Sequence, residues 1–304
     1  MKEIVLITGS GMIAQRLTEK LEKNNFSVRF LSRTKKGANY FTWNLNSKFI
    51  EEGAFKNVQH IIHLAGANIV DKRWTKKRRS ELISSRIDTI QLIKETLKKE
   101  NVKIKTFISA SAIGYYGTDI TENIYTEASE SGKDFISDLC VEWERMADAL
   151  TLEHMVNRLI KLRIGIVLSK KGGALEKMSK PIKYYLGAAL GSGKQYIPWI
   201  HIDDLCDIIM FSILNENMNG IYNAVAPEHI SNIDFTKAIA QKIKRPVLLP
   251  HVPGYMLRLI FGKMAMILLG GSRVSSKKMM DAGYQFTYKN VSQALDDLLP
   301  VLKS

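Results

Sequence analysis

The sequence predicts an α/β fold: a doubly wound parallel sheet joined to a smaller, helix-rich part. Three observations carry this. Short runs rich in β-branched residues alternate with amphipathic helical stretches through the first 168 residues, as in strand–helix–strand units. A glycine-rich turn stands between the first such run and the first helix. After Leu168 the alternation stops, and a Gly- and Lys-rich segment leads into a helix-rich remainder.

Taken in order, KEIVLIT (2–8) is apolar on both faces and reads as a buried parallel strand. Ile13, Leu17 and Leu21 then repeat at helical spacing through Asn25. SVRFLSR (27–33), HIIHLAG (60–66), TFISASA (106–112) and LRIGIVLS (162–169) are further strands, with helices at 75–100 and 135–152 between them. Residues 172–199 break the rhythm. IHIDDLCDIIMFSIL (200–214) opens a helix that Asp203 and Asp204 would cap, and GIYNAVA (220–226) is another strand. In 227–304, Pro246, Pro250 and Pro253 mark a turn. The most hydrophobic segment, 255–271, carries Arg258, Lys263 and internal glycines. Its uncharged run falls short of the roughly 18 residues of a membrane span, so a packed helix is expected.

The chain has 304 residues, 45% hydrophobic and 24% charged, the balance of a soluble globular protein rather than a disordered one. Cys140 and Cys206 are too few for a disulfide framework or a cysteine zinc site, which suits a reducing, cytoplasmic setting. Six histidines show no ligand spacing, so no metal is expected. The N-terminus, acidic at position 3, does not read as a signal peptide. Net charge is +14. The densest basic stretch, Lys72, Arg73, Lys76, Lys77, Arg78 and Arg79, accompanies no nucleic-acid-reading module and reads as solvated surface. Neither a specific nucleic acid nor a membrane is expected as partner.

Thr8-Gly9-Ser10-Gly11-Met12-Ile13-Ala14 fits G-x-G-x-x-A at a strand-to-helix junction. Gly9 permits the tight turn, Gly11 lets a pyrophosphate approach the backbone, and Ala14 lets helix and sheet pack closely. The helix N-terminus adds free N–H groups. An NAD site places an acid about 20 residues further on. Here Ser32, Arg33, Thr34, Lys35 and Lys36 stand there, with no acid from Ser27 to Gly37. Arg33 can fork around a 2′-phosphate and Ser32 can donate to it, which favours NADP(H) over NAD(H).

ITGSGMIA (7–14), HLAGANIVDKRW (63–74), SSRIDT (84–89), ISASAIGYYG (108–117), LCVEWE (139–144), GIVLSKKGGALEKM (165–178), GSGKQYIPWIHIDDL (191–205) and LLGGSRV (268–274) span nearly the whole chain. Together they resemble the extended short-chain dehydrogenase/reductase superfamily, and within it the atypical epimerase-family branch with a small C-terminal domain of its own. The resemblance implies a Rossmann-type domain, 1–168 and 203–226, and a substrate-side domain, 169–202 and 227–304. It carries cofactor contacts onto Gly9, Ser10, Gly11, Met12, Ile13, Arg33, Asn44, Leu45, Leu64, Ala65 and Gly66. Thr8, Ser109, Ala110 and Arg163 join this set. It carries substrate-side roles onto Gly191, Gly193, Gln195 and His201, with Lys177 and Lys194 near an anionic substrate group.

The superfamily moves a hydroxyl proton with Tyr-x-x-x-Lys. None of the eleven tyrosines here has Lys four residues later. Alignment on Trp143 and Glu144 puts Ile136 at the Tyr position and Cys140 at the Lys position. Ser111, Tyr116 and Tyr115 remain as groups to polarise a carbonyl, and Cys140 as a nucleophile if deprotonated. The expectation is an NADP(H)-binding epimerase- or dehydratase-like oxidoreductase or isomerase, monomer or homodimer, acting on a sugar nucleotide or small carbonyl compound. Two alternatives stay open: a catalytically silent NADP-binding regulatory protein, related to cell division by the resemblance, and a nucleic-acid-associated basic protein.

Overall fold

A computed structural model describes residues 2–300; the last four residues of the expected second domain, 301–304, lie outside them. The strands are β1 (Ile4–Thr8), β2 (Ser27–Ser32), β3 (Tyr40–Asn44), β4 (Phe49–Ile50), β5 (Val58–His63), β6 (Ile104–Ala112), β7 (Ile124–Tyr125), β8 (Val156–Ile164), β9 (Ile166–Leu168), β10 (Trp199–His201), β11 (Gly220–Ala224) and β12 (Arg273–Val274). The helices are α1 (Met12–Lys23), α2 (Lys76–Ser84), α3 (Ile87–Lys99), α4 (Phe135–Leu152), α5 (Ala174–Lys183), α6 (Ile202–Leu214), α7 (Asn232–Lys242), α8 (Gly254–Phe261), α9 (Ala265–Leu269), α10 (Lys277–Asp281) and α11 (Val291–Leu298).

The central sheet has eight strands in the order β11-β8-β6-β5-β1-β2-β3-β4. All pairs are parallel except the short β3–β4 edge. From β1 the chain winds outward through β2 and β3, then returns to β5 on the other side. A switch point therefore opens between β1 and β5, where doubly wound folds bind ligands beyond the strand ends. Both faces are covered. Val5 and Ile7 pack with Leu17, Leu205 and Ile209 on one side, and Leu6 packs with Ile90, Ile93 and Ala147 on the other. This explains why β1 reads as an unbroken apolar run. A third core joins Leu168, Ile182, Trp199, Phe235, Ile239 and Leu295.

The structure departs from the sequence reading in six places. The expected helix 75–100 is two, because the chain turns at Ser85 and Arg86 folds back to Leu82 O and Ala67 O at 3.1 and 3.0 Å. The expected strand 162–169 breaks at Gly165, where a Cβ would stand 2.8 Å from Pro198 O. There the chain leaves β11 for β10. β3 was not anticipated, and α5 forms within the Gly- and Lys-rich segment. His201, not an aspartate, caps α6, its Nδ1 accepting from Asp203 N. Segment 255–271 is two short helices rather than one packed helix, and α8 exposes Tyr255, Leu259 and Ile260. No helix among the described residues is long and apolar enough to cross a membrane.

Candidate functional site: the nucleotide cleft and its missing proton relay

β1 ends into Gly9, whose φ of +86° suits only glycine without strain. Its N–H donates to Leu31 O at 3.0 Å. A Cβ there would stand 3.7 Å from Ala65 Cα, so the glycine loop lies against the Leu64-Ala65-Gly66 loop. Thr8 is what joins them. Its fully buried hydroxyl accepts from Leu64 N and Ala65 N at 3.1 Å, so it faces inward as a brace and not the cofactor. Gly11 is the N-cap of α1, with no capping side chain and no acid in the first turn. Where its Cβ would be there is nothing within 4 Å. Bare backbone, unpartnered helix N–H groups and open space fit a pyrophosphate. Met12 and Ile13 start α1, and Gly173 approaches Met12 from across the cleft, a Cβ on it meeting Met12 Cε at 3.5 Å.

At the end of β2, Arg33 is exposed and Lys36 Nζ reaches Ser10 Oγ at 3.2 Å. Ser32 is buried and its hydroxyl donates to Thr34 O, which occupies the proton it was expected to offer a phosphate. Asn44 is also occupied: its Oδ1 accepts from Asn46 N and Ser47 N in a turn beside half-buried Leu45. Ser109 and Ala110 lie buried inside β6, short of its carboxyl end, with little surface exposed.

The proton-relay position is packed shut. Asp134 caps α4, accepting from Ile136 N and Ser137 N at 2.9 and 3.0 Å. This sets the helix against the turn after β6. A Cβ on Gly114 would stand 2.3 Å from Ile136 Cγ2 and 3.9 Å from Cys140 Sγ. Ile136, Leu139 and Cys140 are buried with Trp74, Leu82 and Met264, and Tyr115 and Phe135 pack against them. Burial, then the charge of Glu144, pushes the Cys140 thiol up to about 12. The thiolate required of a nucleophile is absent at neutral pH.

Beneath this wall lies a buried ion pair. Arg163 Nε and Nη2 donate to the two oxygens of Glu144 at 2.8 and 2.9 Å. Ser111, its register partner on β6, donates to Glu144 Oε1 at 2.7 Å. Arg163 Nη1 donates to Tyr116 Oη at 3.1 Å, and Tyr116 donates to Asn223 Oδ1 at 2.6 Å. Burial alone would lower the Arg163 pKa; the hydrogen bonds and charge of Glu144 more than reverse it. Burial pushes Tyr116 up to about 12. These bonds overturn three expectations. Arg163 is spent on Glu144 and faces no phosphate, while Ser111 and Tyr116 have their protons committed inside the core. Tyr115 alone is half-buried, its ring centroid 3.3 Å from the Arg163 Cζ, with no hydrogen bond from its hydroxyl among the described residues.

Residues 5–224 match the model of the NAD-dependent epimerase/dehydratase family. The chain belongs to that family. Residues 252–298 match a domain of unknown function, DUF1731. The epimerase family protein SAR0825 of Staphylococcus aureus is 35% identical over 308 residues, covering 98% of this chain and 99% of its own. The epimerase family protein YfhF of Bacillus subtilis is 33% identical, covering 97% of each. The crystal structure of human epimerase family protein SDR39U1, solved with NADPH, superposes at a TM-score of 0.87 with 29% identity, covering 97% of this chain and 98% of that one.

In this epimerase-family chain the substrate-side candidates are mostly structural. Gly191 N donates to Val252 O and Gly193 N to Leu190 O, and both glycines take positive φ. Gln195 is buried, its Nε2 donating to Leu190 O and Leu268 O at 2.9 and 3.0 Å, so the turn is tied to the C-terminal segment. Buried His201 caps a helix and stacks on Tyr288 at 3.7 Å. Lys194 is exposed, and Lys177 Nζ meets Asp71 at 3.4 Å, linking α5 to the loop beyond Gly66. Glu144 was missed as a site residue, although its spacing from Cys140 and Ala147 puts it on the buried face of α4. Arg86 was missed too. It is buried behind Gly66 and its pKa is pushed down to about 10 by burial.

Proposed function

We propose that this epimerase-family protein binds NADP(H) and does not run the family's Tyr–Lys proton relay. The observation that carries the reading is the contact of Ile136 and Cys140 with Gly114: hydrocarbon and a neutral thiol fill the relay position, while the glycine cradle stays open. Gly9, Ser10, Gly11 and the α1 N-terminus would hold the pyrophosphate, and Arg33 with Lys36 a 2′-phosphate. When bound, the nicotinamide supplies a hydride donor or acceptor. Around it, this chain contributes position and an apolar wall rather than a titratable base. The crystallised NADPH complex of the human relative supports the cofactor choice.

Fluorescence titration tests it. NADPH is expected to bind at least tenfold more tightly than NADH, and equal affinities would overturn the choice. A second reading, reduction of a small carbonyl compound with Tyr115 donating the proton, is favoured by the unoccupied Tyr115 hydroxyl. It requires NADPH turnover that Tyr115→Phe abolishes. The silent-binder reading requires no turnover in either form.

A further inference from the structure

Away from the nucleotide cleft, the 258–266 segment closes over the first turn of α4 and the side of α2. It borders an open hollow of about 770 Å³. Three cations line it, Arg79, Arg258 and Lys263, against one carboxylate, Asp138; Phe135 and Met266 are its apolar lining. No ion pair among the described residues involves any of the three cations. Arg79 Nε is buried without a hydrogen-bond partner, and its guanidinium carbon lies 4.6 Å from the Phe135 ring centroid. A further cation, Arg73, lies against Gly262 of that lining, its Nη2 donating to Leu259 O at 3.4 Å.

Like charges in excess of their counter-charge repel, and a bound anion relieves that repulsion. The apolar lining selects further: Phe135 and Met266, packed against the Trp74–Ile136–Cys140 cluster, offer apolar surface that a bare phosphate would leave uncovered. The volume is that of a small-molecule site. We propose that this hollow binds an organic anion, with a phosphate or carboxylate head on Arg79, Arg258 and Lys263 and an apolar body on Phe135 and Met266. The basic stretch that reads as solvated surface thus contributes Arg79 to a ligand site.

Calorimetric titration of the full chain below micellar concentrations tests this with dodecyl phosphate and dodecanoate, which separate the two head groups. At least one is expected to bind one to one, at least tenfold more weakly to Arg258→Ala/Lys263→Ala. Both positions are exposed, so thermal midpoint and NADPH affinity should be retained. Arg79→Gln is the second variant, with the same expected loss. Equal binding of dodecyltrimethylammonium overturns the charge assignment, and equal binding of inorganic phosphate overturns the apolar body. Capture on anionic vesicles with no binding of either monomeric anion overturns the small-molecule site in favour of a membrane surface.

Discussion

Glu144 is the acid on which the buried side chains beneath the cleft converge, holding both Arg163 and Ser111. Removing one partner of such a pair strands the other charge in low dielectric, at about 3–5 kcal/mol. Glu144→Gln is therefore expected to lower the urea midpoint sharply, and Glu144→Leu/Arg163→Met to recover most of the loss; a double variant as unstable as the single would contradict this. At the cofactor end, Arg33 makes no ion pair among the described residues. Arg33→Ala should cost NADPH about ten- to a hundredfold in affinity, the worth of a charged hydrogen bond or two, with NADH unchanged. Binding assays with both cofactors decide it. The absence of an acid beside Arg33 was legible because a missing residue type is visible in a string. Ser32 was not, because its hydroxyl is claimed by a carbonyl two residues on.

Among the elements, α4 was legible end to end, since Asp134 caps it and its apolar positions recur at helical spacing. What it faces was not legible. Its contact with Gly114 leaves no room for a methyl, so Gly114→Ala is expected to destabilise by about 1–3 kcal/mol through overpacking. A neutral result in chemical denaturation would mean that α4 can shift away. β5 carries His63, which bonds Thr89 on α3 at 2.9 Å and is pushed down to about 3 by burial, then by the charge of Arg86. Unfolded imidazole titrates near 6.5. The contribution of neutral His63 is therefore whole above about pH 6.5. It is lost as pH falls toward about 3, by up to about 1.4 kcal/mol per pH unit. His63→Gln should flatten the thermal-midpoint curve between pH 6.5 and 4.5, and parallel curves would refute the assignment. His60 and His201, also lowered by burial, leave a residual slope.

For the whole molecule, a ligand that binds only the folded chain stabilises it by mass action. NADPH at a hundred times its dissociation constant should add about 2.7 kcal/mol and raise the midpoint by roughly 5 °C. A thermal scan with millimolar NADPH and no shift would overturn binding at the cleft. The sequence by itself determined the parallel, doubly wound sheet, the glycine turn between strand and helix, the basic stretch after the second strand and the absence of a Tyr-x-x-x-Lys pair. Each of these is written in local spacing: apolar period, glycine position, or a residue type absent where chemistry needs it. Only the tertiary structure decided which polar groups are free. Arg163, Ser111, Tyr116, Gln195 and His201 look available in a string, yet each is buried and bonded to partners 5 to 107 residues away or stacked on one. A side chain's chemistry is set by who holds its donors and acceptors, and such long-range partners have no local signature.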